Sequence, residues 1–227
     1  MSDVRLSTAA LPAVRPWDAR LARRLVAPLK DSRVTPNHLT TVRLGIGLAG
    51  AAAFMPGAYL WSNVAALLLI LSNFLDHADG ELARMSGRTS RIGHLYDLAS
   101  DAAVTILLFV AMGVGVAASD DGPLGVPPAA LGAVAGIAIA LIFFLRMRIE
   151  EMAGKAASRQ ASVGGFETED VLYLLPVVTL CNVVEPYLIA AAIGAPLFAV
   201  WVVIDYRRAT RKSKPMSARP TSGAGLA

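Results

Sequence analysis

The sequence is short of several things, and each shortage excludes something. It has one cysteine, Cys181, in 227 residues, so an internal disulfide is excluded. Three histidines and that cysteine do not form the grouping that a zinc site needs. Charge is sparse: 17% of residues are charged, while 55% belong to the hydrophobic set. Soluble domains typically hold ~45–50% apolar residues on a count that even includes glycine. The first thirty residues are polar and arginine-rich and lack the apolar core of a cleavable signal peptide, so the first membrane helix is expected to direct insertion. No internal repeat of ~20–50 residues is evident. What the chain does have is long apolar blocks separated by short charged patches, with mean hydropathy +0.55. That is the pattern of a helical membrane protein.

The expected fold class is an all-α integral membrane protein with six transmembrane helices. The spans run roughly Leu39 to Met55, Tyr59 to Leu75, Leu95 to Ala118, Pro127 to Leu145, Val171 to Val184 and Tyr187 to Ile204. On hydropathy alone the last two could be one segment kinked at Glu185–Pro186. Charge placement decides for six. With six spans, all 21 lysines and arginines lie on one side, Arg43 just inside the first span included. The opposite loops carry Asp120, Asp121 and Glu185 instead. The positive-inside rule then places both termini in the cytoplasm. A cell membrane, by expectation a bacterial inner membrane, is the implied location.

Upstream, RPWDARLARRLVAPLKD spaces Trp17, Leu21, Leu25 and Leu29 about one helical turn apart, with Arg20, Arg23 and Arg24 elsewhere around the wheel. This suits a helix lying among lipid headgroups. Thr35-Pro36-Asn37 stops it and caps the first span. The domain plan is a cytoplasmic N-terminal segment over 1–34, a transmembrane catalytic domain over 35–206 and a disordered basic tail over 207–227.

Residues 76–101 read DHADGELARMSGRTSRIGHLYDLASD. Carboxylates are expensive at the edge of lipid. Asp76 and Asp79 share a helical face at i, i+3, and Asp97 and Asp101 share one at i, i+4. A loop containing Gly80, Gly87 and Gly93 would fold the two helices into an antiparallel hairpin with the four acids facing one another. Such pairs repel unless protonated or bound to cations. Oxygen ligands suit hard divalent ions such as Mg²⁺ or Mn²⁺. Gly80, Ala83 and Gly93 leave room for a ligand, and Arg84 can grip a phosphate bidentately. Metal and arginine together suit a diphosphate.

The stretch has the form D-x2-D-G-x2-A-R-x8-G-x3-D-x3-D, and it resembles the signature of the CDP-alcohol phosphotransferase family at all eight fixed positions. The resemblance implies that Asp76, Asp79 and Asp97 ligate a pair of Mg²⁺ or Mn²⁺ ions. Asp101 would complete that site and act as general base. Asp79, Gly80, Ala83, Arg84 and Gly93 would bind the CDP group. It further implies a CDP-alcohol donor such as CDP-diacylglycerol, a small alcohol acceptor, release of CMP, membrane lipids as surroundings, a homodimer, and no nucleic-acid partner. The phosphatidyl group is the expected cargo. The alternative is a CDP-linked polar alcohol transferred to a lipid acceptor.

Three function classes are weighed: this transferase, a cation or proton transporter, and a noncatalytic lipid-binding protein. The acids cluster at one membrane face with almost no charge in the other half of the spans, which disfavours an ion path. Arg146, Arg148, Lys155 and Arg159 follow the fourth span; topology alone accounts for them, and acceptor binding is the sharper alternative. Acids in GFETEDV are expected to cap the fifth span. Gly132 and Gly136 in the fourth span, and Gly45, Ala49 and Ala53 in the first, are candidate close-packing stripes.

Overall fold

Helix boundaries in this chain follow backbone hydrogen bonding rather than hydropathy. A computed structural model describes residues 17–119, 126–153 and 174–213, and their regular structure is entirely helical. The helices are α1 (Trp17–Val26, extended by one 3-10 turn, Ala27–Leu29), α2 (Pro36–Phe54), α3 (Tyr59–Ser86), α4 (Arg91–Ser119), α5 (Pro128–Ala153), α6 (Leu175–Leu180) and α7 (Val184–Ser213).

α2 starts where the sequence places a cap. Pro36 needs no N–H partner at the first helical position, and the Thr35 N–H donates to His38 Nδ1 at 3.2 Å. α3 has 28 residues and α4 has 29. At about 1.5 Å per residue both outrun the ~30 Å of hydrocarbon, so their facing ends extend past it. This corrects the expected loop over the motif: Gly80 lies inside α3 and Gly93 inside α4. Side chains turn polar at the lipid edge, but the helix continues until a residue can leave the right-handed region. That residue is Gly87, at φ 67° and ψ 10°. The break before α7 also moves. It falls at Asn182, which is left-handed at φ 54°, and Glu185 and Pro186 lie in the first turn of α7, where acid and proline are both favoured.

Among the described residues, four helices, α3, α4, α5 and α7, are long and apolar enough to cross a membrane. α2 is 19 residues long and carries Asn37, His38, Thr40, Thr41 and Arg43, and α6 has six residues. Lys155, Arg159 and the acids of GFETEDV lie outside the described residues.

One apolar core, with Phe54, Ala65, Phe109, Ala135, Leu175 and Leu188, joins α2 through α7. A second, with Ile142, Leu145 and Val202, joins α5 to α7. The Gly132/Gly136 stripe packs within the chain: a Cβ at Gly132 would enter the Phe109 carbonyl, and one at Gly136 would press on Ile106. In α2 the closely packed glycines are Gly47, against Val104 and Ser72, and Gly50, against Leu68 and Leu69. Gly45 faces open space instead, so the expected stripe in α2 is not the packed one. α1 docks Ala22 and Val26 onto Ala78 and Leu82 of α3, leaving Leu21 and Leu25 exposed.

Replacing Gly132 with Ala is expected to lower stability by about 1–3 kcal/mol through overpacking. Gly45→Ala is expected to stay within about 0.5 kcal/mol of the parent. Thermal unfolding in detergent reads both; equal effects would refute this assignment of packed faces.

Candidate active site

The candidate site lies where α3 ends and α4 begins, with α2 laid against both. Because the helices continue through the motif, spacing fixes direction: Asp76 and Asp79 point from one wall, Asp97 and Asp101 from the other. One carboxylate oxygen from each of Asp76, Asp97 and Asp101 lies within 4.8 Å of the others. These three side chains are partly exposed. Asp79 sits deeper, at 5% exposure, and accepts a hydrogen bond from Thr40 Oγ1 at 2.9 Å. The structure thus brings three of the four expected ligands together and sets the fourth beside them.

A residue that the sequence reading used only for topology stands at the centre. Arg43 is 4% exposed. Its Nη1 pairs with Asp76 at 2.7 Å and also with Asp101. Its Nη2 pairs with Asp97 and donates to the Asp97 carbonyl at 3.3 Å, while Nε lies 3.6 Å from Asp79. One guanidinium therefore touches all four acids. Its backbone is fixed in turn, since Ser72 Oγ donates to the Arg43 carbonyl at 3.0 Å. An arginine within an apolar span, with Thr40 one turn earlier on its face, is the signal that could have found it.

Arg84 folds back along α3, its guanidinium about 3.5 Å from where a Cβ at Gly80 would stand. It is held there by Glu81 Oε1 at 2.9 Å. Glu81 is 2% exposed, and its other oxygen lies 3.9 Å from Arg23 of α1. Glu81 occupies a variable slot of the motif and was not singled out. Gly93 admits Asn37: a Cβ there would come within 2.8 Å of Asn37 Oδ1. Ala83, one turn after Gly80 on α3, is only partly buried.

Arg146 and Arg148 come to the same end on α5. Arg146 stacks over Phe198, 5.4 Å from the ring centre. Arg148 pairs with Glu151 at 2.7 Å, and Glu151 lies 3.8 Å from His94, one turn before Asp97. A cavity beside Asp101 is lined by Arg43, Ser72, Asn73, Ser100 and Thr105 along with leucines and a valine.

The donor set fits a hard divalent cation. The converging atoms are all carboxylate oxygens, and four acids against one guanidinium leave excess negative charge.

The sequence model for CDP-alcohol phosphatidyltransferases matches residues 33–204. Among characterised proteins, an archaetidylinositol phosphate synthase of Pyrococcus horikoshii is 32% identical over 106 residues, 45% of this chain and 54% of that protein. A bifunctional IPC transferase and DIPP synthase of Thermococcus kodakarensis is 37% identical over 83 residues, 37% of this chain and 18% of that protein. The chain thus aligns with about half or less of the length of these relatives. The fold is similar to that of the Mycobacterium tuberculosis phosphatidylinositol phosphate synthase crystallised with CDP-DAG, at TM-score 0.54 and 20% identity, over 93% of this chain and 99% of that one. A second structure of that synthase, with manganese and citrate, gives TM-score 0.53 and 23% identity over 86% and 88%.

Thr40→Val, which removes the partner of buried Asp79, is expected to cost about 1–3 kcal/mol of stability. Thr40→Ser should retain most of it; a Val variant as stable as the parent would show that this bond contributes nothing.

Proposed function

Because the chain belongs to the CDP-alcohol phosphatidyltransferase family, we propose that it transfers a phosphatidyl group from CDP-diacylglycerol to a small acceptor alcohol and releases CMP. The observation that carries this reading is the convergence of Asp76, Asp97 and Asp101 around one point, with Asp79 alongside. Asp76, Asp79, Asp97 and Asp101 would hold two Mg²⁺ or Mn²⁺ ions. Those ions supply charge neutralisation for the diphosphate and the departing CMP.

The protein's own groups do the rest. Arg84, tethered over Gly80, holds a donor phosphate, and Gly80, Ala83 and Gly93 complete the set that binds the CDP group. Asp101 takes the proton of the acceptor hydroxyl. The acceptor oxygen forms a bond to the phosphorus that carries the lipid alcohol, and the bond from that phosphorus to the CMP oxygen breaks. Arg146 and Arg148 stand at the same end and suit an acceptor that carries a phosphate, which agrees with the inositol phosphate products in the relatives' names.

The protein is a membrane protein, and the finer arrangement belongs to the same proposal. It has six spans, with α2 and the segment around α6 completing the four long helices, and both termini and the site face the cytoplasm. The domain plan is an N-terminal segment over 1–34, a catalytic domain over 35–206 and a basic tail beyond. α1 lies at the interface with Leu21 and Leu25 toward lipid. The working form is a homodimer.

The test uses purified protein with CDP-diacylglycerol, Mg²⁺ or Mn²⁺, and a panel of inositol phosphate, inositol, glycerol 3-phosphate and serine, with CMP as the readout. CMP release is expected with at least one acceptor, to vanish with EDTA, and to return with either ion. Asp101→Asn should lower the rate by about 10²–10⁴-fold. If no acceptor gives metal-dependent CMP and Asp101→Asn matches the parent, the transferase reading is wrong.

A further inference from the structure

Arg43 and a divalent cation would need the same atoms. Its guanidinium pairs with Asp76, Asp97 and Asp101, whose oxygens are the converging set, and lies near Asp79 as well. A guanidinium and a small ion cannot both occupy the middle of a ring of oxygens that close. Two divalent ions also match the charge of four carboxylates, which leaves Arg43 as surplus positive charge repelled by the ions.

There is somewhere for the side chain to go. The cavity next to Arg43, between α2, α3 and α4, is walled by Ser72, Asn73, Ser100 and Thr105 amid leucines, Ile70 and Val104, and Asp101 stands at its edge. These side chains offer hydrogen-bond acceptors in a stretch of helix that is otherwise apolar. Arg43 lines both the cavity and the acid cluster, and Ser72 holds its backbone between them.

We propose that Arg43 is a built-in counterion that competes with divalent cations for Asp76, Asp97 and Asp101. With metal bound, its guanidinium would turn into the neighbouring cavity, toward Ser72, Asn73, Ser100 and Thr105. Arg43 thereby sets the metal concentration at which the site fills, and it keeps the acids from repelling the hairpin apart below that concentration. This rests on the metal-site reading given above, but it concerns binding and not turnover.

The experiment titrates full-length protein in detergent with Mn²⁺ alone, following loss of the free-ion EPR signal, and records thermal unfolding in EDTA. Arg43→Gln removes the competing charge and should bind Mn²⁺ at least about tenfold more tightly, given the size of a unit-charge interaction at such range. Its unfolding temperature should fall in EDTA and recover with Mn²⁺. Arg43→Lys keeps the charge and should bind like the parent. Asn73→Leu fills the receiving cavity and should weaken Mn²⁺ binding while leaving the EDTA midpoint near that of the parent.

Equal Mn²⁺ affinity in the parent and Arg43→Gln overturns the proposal, and so does Asn73→Leu binding unchanged. An Arg43→Gln protein that stays unfolded even with Mn²⁺ also overturns it, since the role would then be architectural. If neither the parent nor Arg43→Gln binds Mn²⁺, the metal-site reading fails with it. If both bind but CMP is never released, only the transferase reading fails.

Discussion

Carboxylates gathered at the edge of an apolar bundle repel one another, and neither α3 nor α4 can turn its pair inward without a positive group between them. The Arg43 guanidinium is such a group, and much of the local structure can be traced to getting it there. α2 must lie close enough to both helices for one side chain to reach four acids. It does so through Gly47, where a Cβ would press into Val104 and Ser72, and through Gly50 against α3. Ser72 and Thr40 then satisfy the backbone and the deepest acid that this approach buries.

This demand shapes α2 at some expense to its apolar character. A helix that serves four carboxylates carries Asn37, Thr40, Thr41 and Arg43 on its first turns. Those residues, rather than its length, keep it below the hydropathy of the four clear membrane helices. Asn37 meets Gly93 of α4, and Thr41 shares a hydrogen bond with Tyr96 at 3.0 Å, so the polar side of α2 is matched by α4 residue by residue. The buried hydroxyl of Thr40 is placed against a partner, Asp79 of α3, which is the condition for burying it.

The sequence made the pairing of acids legible because helical periodicity needs only spacing. It could not show where the helices end: hydropathy falls near Leu75 while hydrogen bonding persists to Ser86, and α3 stops at the left-handed Gly87. Nor did it reveal Arg43, because a topology count treats an arginine at a span edge as one more basic residue. Its role depends on what lies across a helix interface, at a separation of 33 to 58 residues along the chain, which local patterns do not encode. Glu81 was hidden for a different reason, since it fills a position that the motif leaves free.

Glu81 also ties α1 to the motif segment of α3. The helix docks on the motif segment itself, Ala22 and Val26 against Ala78 and Leu82, which flank Asp79 and Gly80. Glu81 lies between the two helices and faces both Arg23 and Arg84. A buried carboxylate needs positive partners, so its desolvation favours keeping Arg84 folded back over Gly80 instead of free in solvent. That contact orders the Arg84 side chain along α3. Sliding α1 along α3 would alter the Arg23 side of this arrangement and hence how firmly Glu81 holds Arg84. The position of a peripheral helix is in this way coupled, through a single buried acid, to the orientation of Arg84.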